Sequence, residues 1–217
     1  MMPVASRILS SLAVLAAVLL VAMSGAARPA LSAGYEELIA QAKQGKTDID
    51  YAALRIAYAD SKFYDGYNTD VIGLRGPFQK AFADGDCEGA IRQGQAILEK
   101  NYVFVDAHFV LGVCYRRLGQ IEQSDRHTAT ARGLIKAILA SGDGKTPETA
   151  FVVISVAEEY SVIGVQGSKK LQQALINKNG HSYDLLTVAN KSGGKDEVYF
   201  NIDRVMRWST EKFNPRK

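Results

Sequence analysis

The chain has 217 residues, with 26 Lys and Arg against 23 Asp and Glu, for a formal net charge of +3. At 47% hydrophobic and 23% charged residues it has the composition of a folded protein, not of a disordered one, and mixed charge argues against a nucleic-acid binder. Two cysteines are too few for a disulfide-stapled miniprotein or a four-thiolate zinc site, and one apolar segment at the start excludes a multi-pass membrane protein.

Residues 1–27 read as a signal peptide. Arg7 is followed by an uncharged apolar run from Leu12 to Met23, and this run of 12 residues is short for a membrane span. Gly25 and Ala27 satisfy the small-x-small rule, which places cleavage after Ala27; cleavage after Ser32 or Ala33 and an uncleaved anchor are the alternatives. The mature protein is therefore expected to be periplasmic or extracellular, with no membrane attachment.

Residues 28–140 read as a helical region. Tyr35 to Gln44 is amphipathic, with acids first and lysines towards its end. Asp48 or Asp50 caps a second helix carrying Tyr51, Leu54 and Tyr58 on one side. Lys62 to Asn68 reads as a loop, and Pro77 opens a helix that runs to about Ala83. Gly85 and Gly119 stand 34 residues apart, the tetratricopeptide period. Asp106-Ala107, Leu111-Gly112, Tyr115 and Leu118-Gly119 fit the second copy, with His108 where Trp is usual. Two degenerate repeats cannot close a solenoid, so another element must cover them.

This geometry puts Cys87, at the start of one helix, and Cys114, near the end of the next, at the same end of the stack. In an oxidising compartment they are expected to form a disulfide; two separate buried thiols are the alternative.

Residues 141–217 read as a β-rich region of the same domain. Thr149 to Val156 is apolar and β-branched, a central strand that continues into Glu158-Glu159-Tyr160. Lys169 to Asn177 is expected to be a short helix. Tyr183 to Val188 and Val198 to Ile202 are expected strands, and Val205 to Lys212 a final helix with Trp208. The fold class is α+β: N-terminal tetratricopeptide-like hairpins packed on a small C-terminal antiparallel β-sheet.

Gly142-Asp143-Gly144-Lys145-Thr146 lacks the first glycine of a phosphate-binding loop, and it follows a helix instead of a strand. It reads as turn chemistry, and Asp143 has no calcium-loop spacing behind it. His108, His127 and His181 fall in no metal frame, so no metal or cofactor is implied. The candidate catalytic residues are His127, Asp143, Glu158 and Glu159. Placed on a strand, the two glutamates would face opposite sides, and a buried one needs a partner, for which Arg55, Arg132 and His127 are available. They would be acid/base groups in one reading and a structural ion pair in the other.

The signals together resemble domain of unknown function 4919, a bacterial family. The matching residues include Asp50-Tyr51, Leu54-Arg55 and Tyr58, Tyr64-Asp65 and Tyr67, Gly85-Asp86-Cys87, Asp106-Ala107-His108 and His127. They continue through Ser141 to Gly144, Thr149 to Phe151, Glu158 to Tyr160, Tyr183-Asp184 and Tyr199 to Ile202. Gly66 departs from the pattern, which prefers Pro there. The resemblance implies an exported bacterial protein and supplies no activity. The leading expectation is a non-enzymatic binding or interaction module of the envelope with a protein or peptide partner and no nucleic acid. The alternative is a hydrolase or small-ligand-binding protein built on His127, Asp143 and Glu158-Glu159.

Overall fold

Side-chain caps set several helix boundaries. The computed structural model describes residues 34–46 and 48–214. The signal-peptide reading therefore lies outside the described residues. Helix α1 is Tyr35–Lys43 and α2 is Tyr51–Ala59. Asp50 is the N-cap of α2 and accepts from Ala53 N at 2.9 Å. Helix α3, Ile72–Ala83, begins before Pro77 and carries it inside, so Pro77 does not open the helix as expected. Gly73 and Gly76, both ahead of Pro77, weaken the helical signal of the first turn. Helix α4 is Cys87–Lys100, capped by Asp86 on Gly89 N, and is followed by α5, Val105–Arg117, and α6, Ile121–Leu139. Gly85 (φ 79°) and Gly119 (φ 74°) make equivalent turns inside the two hairpins, α3/α4 and α5/α6. That is the 34-residue repeat in three dimensions.

The second half departs from expectation twice. The apolar run after Thr149 is not a central strand. Only Phe151–Val152 (β1) pairs, at the sheet edge, and the chain turns at Ser155 into helix α7, Val156–Gln166. Glu158 and Glu159 are therefore in the first turn of a helix, where acids suit the dipole, not on a strand. An apolar run buried on all sides does not tell the two states apart by periodicity. Conversely, Lys169–Lys178 is a strand (β2), not a helix. Asn179 (φ 54°) and Gly180 (φ 82°) form the two-residue turn that joins it to β3, His181–Ala189. The Asn-Gly pair was the signal for a hairpin, and it overrides the helix-favouring Lys, Gln and Ala content of β2.

Strand β4 is Lys195–Asn201 and the last helix, α8, is Asp203–Phe213. The strand order is β1-β4-β3-β2. β2/β3 and β3/β4 are antiparallel, while β1 runs parallel to β4 with Phe151 opposite Phe200. The sheet is thus mixed at one edge. The fold class stands as α+β, helices first and sheet last. One hydrophobic cluster joins both halves: Leu54, Ile97, Leu111 and Leu134 from the helices meet Phe151, Ile154, Leu186 and Phe200. The sheet and α7 are the cover that the short repeat array required.

Candidate functional site

The four candidate residues do not converge. His127 lies in the first half of α6, and the 12 residues to Leu139 alone span about 18 Å of axis. Asp143 lies past that end. Its carboxylate accepts from Thr149 Oγ1 (2.6 Å) and Lys145 N (3.0 Å), and Thr149 O accepts from both Asp143 N and Gly144 N. These bonds build a tight exposed turn and lower the Asp143 pKa. A Cβ on Gly142 would stand 2.3 Å from Thr149 O, which explains glycine there without a nucleotide.

Glu158 is enclosed and fully engaged. Its Oε1 and Oε2 accept from Arg55 Nε (2.8 Å) and an Arg55 terminal nitrogen (2.7 Å), and Oε2 also accepts from Ile154 N at 2.9 Å. The same guanidinium donates to Val152 O at 2.9 Å. Of the three partners weighed for the glutamates, Arg55 is the one that reaches Glu158. The pair ties α2 to α7, and with three bonds accepted and a side chain only 4% exposed the carboxylate is out of a substrate's reach.

Glu159 is 0% exposed, and neither of its carboxyl oxygens has a hydrogen-bond partner among the described residues. It faces Asp184 of β3. Burial first, and then Asp184, raise its pKa to about 9, so it is a neutral acid at pH 7. Asp184 is itself raised by burial and accepts from Gln173 Nε2 at 2.8 Å.

His127 belongs to a different constellation. Its Nδ1 lies 2.9 Å from Nδ1 of His108, whose Nε2 lies 2.7 Å from Tyr102 O. His108 is completely buried on α5, and burial followed by the charge of His127 lowers its pKa to about 3. Burial and the adjacent Arg126 lower that of His127 to about 4. The His127 ring stacks on Tyr115 at 5.5 Å, and Tyr115 Oη accepts from Gln95 Nε2 at 2.9 Å. The outer side of His127 lines a cavity of ~430 Å³ between α1, α4 and α6, with Lys43, Gln95, Tyr102, Arg126 and Thr130 among its walls. His108 and Tyr102, which orient His127, were not candidates. Only the spacing that put His108 in the usual Trp position marked one of them.

Cys87 and Cys114 are both buried at the same end of α4 and α5, 2.7 Å apart, as unbonded thiols. Burial and the neighbouring Cys87 push the Cys114 thiol up to about 12.

No group of three or more His, Cys, Asp or Glu side chains able to hold a metal occurs among the described residues. No described helix is long and apolar enough to cross a membrane.

These features define an α+β protein in which tetratricopeptide-like hairpins, closed by a small sheet, carry a polar groove. The chain belongs to the family described as domain of unknown function (DUF4919), whose model matches residues 30–211. No curated protein and no solved structure matches it.

Proposed function

We propose that this DUF4919 protein is an exported, non-enzymatic binding module of the bacterial envelope that holds its ligand or peptide partner in the groove between α1, α4 and α6. One observation carries this reading: a cavity of ~430 Å³ on the helical half is walled by polar side chains around an oriented His127, with no second acid or base directed at it from Asp143, Glu158 or Glu159. Such a cavity is within the size range of small-ligand sites. Titration of the processed protein with peptide and metabolite libraries, read by NMR, tests it. Saturable shifts confined to groove residues are expected. Libraries that move none of these resonances overturn the reading.

Export rests on Arg7, the apolar run to Met23 and the small residues before Ala27. It predicts a mature chain starting at Arg28 in the periplasmic or extracellular fraction, free of the membrane, and intact mass measures this directly. In that compartment the adjacent Cys87 and Cys114 join in a disulfide that pins α4 to α5.

A further inference from the structure

Tyr102, His108 and His127 form a hydrogen-bond chain with only one direction. A carbonyl oxygen has no proton to give, so the 2.7 Å contact between His108 Nε2 and Tyr102 O puts the His108 proton on Nε2. In the neutral ring, Nδ1 is then a lone pair. The 2.9 Å contact between the two Nδ1 atoms must take its proton from His127. Neutral His127 therefore keeps a lone pair on Nε2. That atom makes no hydrogen bond among the described residues, while the ring lines the ~430 Å³ cavity. His108, fully enclosed, acts as the fixed support that sets this tautomer.

The walls add charge. Lys43 and Arg126 line the same cavity, with Glu99 as the one acid. Arg126 is held only loosely, 3.6 Å from an exposed Glu122 carboxylate, and Lys43 Nζ lies 5.6 Å from the centre of the Tyr102 ring. Among the described residues neither cation has a closer carboxylate partner, so both can turn to an anion in the cavity.

We infer that the groove takes a small acid carrying a neutral N–H or O–H donor, with the anion at Lys43 and Arg126 and the donor on His127 Nε2. This rests on the reading of the groove as a binding site. A ligand offering only acceptors sets lone pair against lone pair at His127 and binds more weakly, held by its anion alone.

Two probes of nearly one shape test this on the full processed chain. N-acetylglycine has a carboxylate and an amide N–H; acetoxyacetate replaces that N–H by an ester oxygen. N-acetylglycine is expected to bind at least about tenfold more tightly, roughly the worth of one buried hydrogen bond. His127→Phe should erase the preference, and Arg126→Gln should weaken both probes. Side-chain ¹⁵N spectra of the unsubstituted protein at pH 7 should show His127 protonated at Nδ1 and bare at Nε2, a readout that needs no variant to fold. Equal affinity, refusal of both probes or a proton on Nε2 overturns the inference. If the groove refuses both probes but binds another library ligand, the binding reading survives and this ligand chemistry does not. A groove that binds nothing ends both.

Discussion

Arg55 and Glu158, 103 residues apart in sequence, meet in a two-pronged ion pair with each side chain only 4% exposed. The pair links α2 to α7 across the boundary between the helical half and the sheet. Each charge is desolvated and is compensated only by the other and by the backbone groups at Val152 and Ile154.

Removing one partner should therefore cost far more than an exposed salt bridge would. Arg55→Ala or Glu158→Ala is expected to lose about 3–5 kcal/mol in urea unfolding, because the remaining charge is left buried. Arg55→Met combined with Glu158→Leu should lose less than the sum of the two alanine variants. A loss under about 1 kcal/mol in both single variants would show that water reaches the pair.

Glu159 gives a pH dependence of known sign. Its pKa is raised from 4.5 to about 9 on folding, so the folded state holds a proton that the unfolded state releases. Its contribution to stability is complete below pH 4.5 and is lost as pH rises towards 9, at about 1.4 kcal/mol per unit. Glu159→Gln keeps the neutral shape and should stabilise the protein at pH 8 by more than at pH 5. Melting curves across this range check it; an equal effect at both pH values refutes a neutral Glu159.

The histidine pair titrates in the opposite sense. With folded values of about 3 and 4 against 6.5, both rings stay neutral while the unfolded chain takes up protons. Their contribution is full above pH 6.5 and falls with acid below it. Together with Glu159 they should place a stability maximum near pH 6.5, and His108→Phe should flatten the acid limb. A monotonic rise in stability from pH 5 to 9 would contradict a neutral Glu159, and a monotonic fall would contradict the neutral histidines.

The cysteines offer a redox test. A Cys87–Cys114 bridge closes a loop of about 28 residues and should contribute about 3 kcal/mol. Protein prepared under oxidising conditions should melt lower after reduction, and Cys114→Ser should abolish that response. An unchanged melting point means two buried thiols.

The Gly142 turn separates structure from nucleotide chemistry. Gly142→Ala drives a methyl against the backbone of Thr149 and Ala150 and should cost about 1–3 kcal/mol. Lys145→Ala, at an exposed position, should change stability by under about 0.5 kcal/mol. A phosphate-binding loop would show itself as ATP-dependent stabilisation lost in Lys145→Ala.

Much of the helical half was legible because its signals are local. Asp50 and Asp86 cap helices through their own side chains, and the glycines at 85 and 119 repeat at 34 residues with left-handed φ angles. The strands at 183–188 and 198–202 showed alternation. The segment from Lys169 misled because the composition of β2 favours a helix, while a neighbouring Asn-Gly turn and pairing with β3 decide otherwise. The run from Thr149 misled because burial on every side erases periodicity.

The candidate site divides on the same line. His127 was identifiable as a residue to test, but its orienting partner His108 sits 19 positions away on another helix, a contact that only packing creates. Asp143, Glu158 and Glu159 were chemically eligible, yet each is consumed or isolated by its surroundings. By itself the chain determined its family, its α+β class and the two hairpins, since caps, turn glycines and repeat spacing act within a few residues. Tertiary structure alone decided which way the run after Phe151 turned, that Arg55 neutralises Glu158, that Glu159 stays protonated and that His127 presents a lone pair. Those properties depend on desolvation and on through-space partners, and neither is written in residue order.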